Sequence, residues 1–234
     1  MWPSCFVLFR RIFSLGLVLL LASSCVQVEQ TLSLDATGGG KLVFGYTMTK
    51  EAFAEIEARV KAEAEASGED ATLPFSFDKA KIQEEFKEYA PLGIALEDVR
   101  AWDDDRNKHV RLEIRFASLA GVMKTEFFSD RTVELKKIDE GVYELRQRGA
   151  AGAESIPPET MDMMRSLLAG FRATLTFELP GAVVASNAGK TEDRRAEWVF
   201  DVDADTQALI RAQSEDLWVR FSAEGLELPE YPPR

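Results

Sequence analysis

Cys25 is the residue best placed for chemistry. The small residues Ala22-Ser23-Ser24 stand immediately before it, and the basic pair Arg10-Arg11 and the apolar run Ile12 to Leu21 stand before those. That order is the pattern of an export signal ending at a thiol that can be acylated. An ordinary secretory signal needs a small-x-small site and no particular cysteine, and a membrane-spanning helix needs roughly 20 apolar residues, about twice this run. The large aliphatic usual three positions before the cysteine stands one step further back, at Leu21. Cys25 is therefore the expected lipidation site, and residues 1–24 are the expected signal peptide.

Other residues with chemical capacity lack the company they need. Asp201, Asp203 and Asp205 occupy positions 1, 3 and 5 of an apparent calcium loop, but Thr206 stands at position 6 in place of glycine and Ala212 at position 12 in place of glutamate. Gly38-Gly39-Gly40-Lys41 and Gly189-Lys190-Thr191 resemble pieces of a phosphate loop. The first continues with Leu42 and the second has Val184 where a glycine belongs, so both are expected to be hairpin turns. His109 is the one histidine of the chain, so neither a zinc site of the usual composition nor a conventional Ser-His-Asp triad is expected around it. It is read as the start of a strand, and the acidic run Asp103 to Asp105 as a solvated turn. No catalytic residue, no metal ligand and no cofactor are expected.

Cys5 lies in the signal and Cys25 would carry lipid, so the mature chain has no thiol left for a disulfide and must stand on its core. The formal net charge of −12 becomes −14 once a signal carrying Arg10 and Arg11 is removed. Acids and bases are interspersed, which argues against counterion-release binding to nucleic acid. Two or more acyl chains on one cysteine exceed the threshold for stable anchoring, so the polypeptide itself need not seek the bilayer.

Elements that would position these residues are legible as periodicity. Val26, Val28, Leu32 and Leu34 alternate with polar residues, with Gln30 as a polar intruder on the apolar side, and Leu42, Phe44, Tyr46 and Met48 alternate after a glycine-rich turn. Thr49 can cap a helix with Phe53, Ile56 and Val60 on one face. Asp78 can cap a second, with Ile82, Phe86 and Tyr89 continuing to Pro91. Strands follow at Ala95 to Trp102, Lys108 to Phe116, Val133 to Ile138 and Val142 to Arg148, with a short helix near Ser118 to Phe127. Gly149 to Pro158 reads as a surface loop. Beyond it come a helix bearing Met161, Met164 and Leu168, strands at Phe171 to Leu179, Ala182 to Ala185 and Glu197 to Val202, a helix Thr206 to Gln213 capped by Asp205, and a strand Leu217 to Ser222. From about residue 226 the tail is proline-rich. The sum is one α+β domain over residues 25–234: a mainly antiparallel, curved sheet of hairpins and meander strands with several covering helices.

Cys25-Val26-Gln27-Val28, Tyr46-Thr47-Met48, Leu179-Pro180-Gly181, Ser186-Asn187 and Trp198 together give the chain a likeness to bacterial lipoproteins carrying an LppM-type domain. The resemblance is carried by structural motifs and transfers no catalytic or binding residue. The tail is polar where some such lipoproteins have an apolar segment, so the resemblance implies an anchor at the N-terminal end alone.

The expected function is a non-catalytic lipoprotein of the cell envelope. It is held to the membrane through acylated Cys25, binds another envelope protein or serves a structural role, and binds no nucleic acid. Val26 after the cysteine is not the aspartate that favours inner-membrane retention, so the outer membrane is favoured in a host with two membranes. The alternative is an amphiphile-binding module that holds a lipid in a cavity between sheet and helices, with Met161, Met164 and Leu168 as candidate lining of an apolar cleft.

Overall fold

The computed structural model describes residues 26–67, 76–125, 128, 132–149, 169–205 and 207–232. Strand β1 (Gln27–Leu34) is central. It turns at Asp35 to Gly39, where the Asp35 carboxylate accepts the N–H of Thr37 at 2.7 Å, and pairs antiparallel with β2 (Gly40–Thr49). A Cβ on Gly40 would lie 1.9 Å from the Ser33 carbonyl oxygen, so glycine is required where the hairpin closes. Beyond β2 lie β3 (Ile94–Asp103) and β4 (Asn107–Phe116), with β4 between β3 and β2.

The second sheet starts with the hairpin β5 (Val133–Asp139) and β6 (Val142–Gln147). The later strands β7 (Arg172–Glu178), β8 (Val183–Ser186), β9 (Lys190–Glu192), β10 (Arg195–Asp201) and β11 (Leu217–Ser222) divide between the sheets. The large sheet runs β3-β4-β2-β1-β7-β10-β9 and the small sheet β5-β6-β11-β8. Among the described residues, eleven strands and four α-helices thus make an α+β fold.

Alternation decides what each face does. Leu32, Leu42, Ile114, Phe177 and Trp198 point to the buried side of the large sheet, and Leu135, Leu145, Val219 and Phe221 to the buried side of the small one. Each such side chain contributes about 1.5–3 kcal/mol by leaving water. The opposite face of the large sheet carries Lys, Arg, Glu, Ser and Thr, as an antiparallel sheet with one solvated face does.

Helix α1 (Lys50–Ser67) begins where Thr49 Oγ1 accepts the N–H of Ala52 at 3.2 Å. Helix α2 (Lys79–Glu85) begins where the Asp78 carboxylate accepts the N–H groups of Ala80 and Lys81. Both caps are the expected ones. The second helix does not stay α-helical to Pro91: it tightens into a 3₁₀ segment, Phe86–Leu92, which holds the proline and ends at Gly93 in the left-handed region. Helix α3 (Leu119–Val122) is shorter than expected. Helix α4 (Ala208–Ser214) starts after Gln207, and Asp205 instead binds the Gln207 N–H from outside the helix.

Two further expectations are corrected. The large sheet is mixed, because β1 and β7 run parallel, and a second sheet takes β5, β6, β8 and β11. Gly189 does not close a hairpin: it lies on the link between β8 in the small sheet and the unexpected strand β9 in the large one. The extended tail is tied to the domain where Leu135 and Tyr231 exchange N–H to carbonyl bonds of 2.7 and 2.8 Å along the edge of β5, and where the Leu228 N–H donates to the Tyr143 hydroxyl at 3.2 Å.

Asn187 joins the two sheets. Its Oδ1 accepts the Trp198 indole N–H at 3.2 Å from β10 and the Trp218 backbone N–H at 2.9 Å from β11, while its Nδ2 donates to the Asp216 carbonyl at 2.7 Å.

Ile114 is 1 % exposed and its neighbour Arg115 lies on the solvated face. Ile114→Asp is expected to cost more than about 3 kcal/mol, since it buries an unpaired carboxylate, and Arg115→Asp less than about 1 kcal/mol. Thermal melts of the two variants check this, and equal midpoints would contradict the assignment of faces.

Candidate functional site

Val26 is buried and its carbonyl accepts the Arg172 N–H at 3.0 Å, so the chain is clamped in the large sheet from the first described residue onward. At that end, one register row crosses the solvated face: Trp102 on β3, His109 on β4, Thr47 on β2, Gln27 on β1, Arg172 on β7 and Asp201 on β10.

The middle of this row is a hydrogen-bonded chain. Thr47 Oγ1 lies 2.9 Å from His109 Nδ1, and His109 Nε2 lies 2.8 Å from Asp104 Oδ2. A neutral ring with its proton on Nε2 satisfies both contacts, the Thr47 hydroxyl donating to Nδ1 and Nε2–H to the carboxylate. The indole of Trp102 stacks on this imidazole, with centroids 4.8 Å apart and planes 8° from parallel. Asp104 also accepts the backbone N–H groups of Arg106 at 2.8 Å and Asn107 at 2.6 Å, which fixes the turn between β3 and β4. The His109 hydrogen bond first, and the Asn107 and Arg106 N–H groups after it, hold the Asp104 carboxyl well below the usual carboxylate range.

Hydroxyl, imidazole and carboxylate in line have the polarity of a nucleophilic relay. Thr47, however, sits mid-sheet with β1 on one side and β4 on the other, so the β2 backbone N–H groups are committed to ladders and offer no oxyanion site. What the chain of bonds does in this structure is hold His109 rigid as a shelf for Trp102. The sequence places His109 at the start of a strand, as observed; its partners are missed because they come from a turn and from a strand about sixty residues away.

Along the same face, a groove of about 290 Å³ is lined by Glu29, Thr31, Ser33, Lys41, Val43, Gly45, Arg111 and Glu178. A Cβ at Gly45 would meet Val110 O at 3.7 Å and Glu29 Cβ at 3.9 Å, ordinary contacts, so the missing side chain deepens the face without being required by the backbone. Lys41 pairs with Glu113, Arg111 reaches the same carboxylate at 3.5 Å, and Glu178 accepts the Ser33 hydroxyl at 2.6 Å. The lining is polar and gives no support to an acyl chain.

The acids considered for cation binding are engaged locally. Asp201 accepts the N–H groups of Asp203 and Ala204, Asp203 accepts that of Gly170, and Asp205 pairs with Arg211 at 2.8 Å. Asp103 pairs with Lys108. Cys25 and the expected cleft residues Met161, Met164 and Leu168 lie outside the described residues.

No protein-family model matches the chain, and no curated protein matches it. The folded domain of LppM from Mycobacterium tuberculosis, solved by NMR, aligns with 86% of this chain and 92% of its own, at 11% identity and a TM-score of 0.38. The likeness is weak. It involves a domain of the type that the sequence motifs resemble, and at that level it carries no argument about the site.

Two outcomes follow from the geometry. Because the Asp104 value is lowered by folding, the contribution of its ionised form to stability is present above the ordinary carboxylate range, near 3.9, and is lost as pH falls through the folded value. Carboxyl NMR titration of His109→Gln is expected to show Asp104 titrating at higher pH than in the wild type, and an unchanged titration would contradict the geometry. Gly45→Ala is expected to melt at or above the wild-type temperature, while Gly40→Ala, which meets the Ser33 carbonyl, is expected to lose more than about 2 kcal/mol.

Proposed function

We propose that the protein is a non-catalytic lipoprotein of the cell envelope, anchored through acylated Cys25. Its folded domain then serves as a binding or structural module at the membrane surface, in the outer membrane where the host has two. The observation that carries this reading is the clamping of Val26. One residue after the thiol, the backbone is already buried and hydrogen-bonded to β7, so an acylated Cys25 would have no tether and the large sheet would stand directly on the bilayer. The solvated face, with its ion pairs and polar groove, is the surface such a module would offer to another envelope protein.

The anchor is tested by metabolic labelling with a fatty acid. Wild-type protein is expected to take the label, and Cys25→Ser to take none and to remain unprocessed or mislocalised, since the mature chain has no other thiol. Label retained in Cys25→Ser would sink the reading, because a hydroxyl cannot form the thioether.

A further inference from the structure

We propose that Trp102 is a second membrane contact, seated in the headgroup layer of a zwitterionic bilayer and fixing the orientation of the large sheet; this rests on the reading that Cys25 carries the lipid. Covalent geometry sets the height. Two residue steps separate Cys25 from Gln27, a reach of at most about 7 Å. The polar layer on each side of a bilayer is about 5–7 Å thick. Gln27 and Trp102 share one register row, three strand spacings apart, or about 14 Å. With the row lying along the bilayer, the indole stands out from the sheet face at the height of the row, level with the headgroups, while the lipid holds the middle.

The residue suits that place. Trp102 is 47 % exposed; of the other exposed large apolar side chains, Ile138 and Val184 belong to the small sheet, and Val199, on β10 of the large sheet, lies one row further from the Cys25 end. An indole combines an apolar body with a polar N–H and prefers the membrane–water boundary. One of its faces is held on His109, itself tied at both ring nitrogens, so the ring is presented at low cost in side-chain entropy. The sheet end beside it carries Asp103, Asp104, Asp105 and Asp201 against Lys50, Arg106, Lys108 and Arg172. Such a balanced surface of both signs complements zwitterionic headgroups, and the mature charge of −14 sets the domain as a whole against anionic lipid.

Full-length lipidated protein is reconstituted in phosphatidylethanolamine–phosphatidylcholine vesicles containing lipids brominated high on their acyl chains, and tryptophan emission is followed. Trp198 is buried in the core, and Trp218 lies on the small sheet. Quenching is expected in the wild type and at least about a twofold reduction in Trp102→Phe. Replacing the phosphatidylethanolamine by phosphatidylglycerol is expected to weaken quenching, and stronger quenching there would overturn the zwitterionic assignment. Protein that floats with the vesicles and shows no quenching, or equal quenching in both variants, overturns the Trp102 contact and leaves the anchor standing; the exposed ring would then face a protein partner. Protein with no acyl mass that fails to float overturns the anchor, and the contact with it.

Discussion

Strand β1 is the constraint on which the rest of the structure depends. The large sheet is assembled from two halves of the chain, β3-β4-β2 before it in spatial order and β7-β10-β9 after it, and β1 alone bonds to both. Its partner β2 is its hairpin neighbour, a short-range contact that forms with little loss of loop entropy. Its other partner β7 starts well over a hundred residues later and runs parallel, so closing that ladder carries a far larger entropic cost. The buried residues Leu32 and Leu34 on β1 and Phe177 on β7 offset it.

Because β1 is also the strand next to Cys25, the position of the thiol and the position of the sheet are one problem. The end of the sheet at Val26 carries the Trp102–His109–Thr47 row and the acidic turn. The opposite, buried side is covered by helices and by the small sheet, with Asn187 bonding indole and backbone from both sheets. Asn187 and Trp198 belong to one sequence motif, and the bonding shows their physical role: a buried indole N–H needs an acceptor, and this amide supplies it. The solvated face is polar, and its groove is lined mainly by charged and hydroxyl side chains.

Much of the local structure was legible. The alternation in β1, β2 and β4 marked the correct faces, Thr49 and Asp78 cap the helices as their positions suggest, and the turns at Asp35 to Gly39 and Asp139 to Gly141 follow from glycine and aspartate. What failed did so for nameable reasons. Pro91 was read as a helix stop, yet a 3₁₀ segment accommodates it. Asp205 was read as a helix cap, but the helix starts later and the carboxylate pairs with Arg211. Strand β9 is three exposed residues long and carries no hydrophobic signal.

The sequence by itself determined which residues alternate, where the chain turns and which thiol is available for a lipid, because these depend on side chains a few positions apart. It also set the acidic charge and a count of two cysteines, both within the first 25 residues, which are properties of composition. Only the tertiary structure decided that β1 lies parallel to β7, that strands after residue 132 split between two sheets, and that a lone histidine is held by a threonine and an aspartate under an exposed indole. Those arrangements depend on which strands meet across long loops. Periodicity says which face of a strand seeks the core and nothing about the neighbour it finds there.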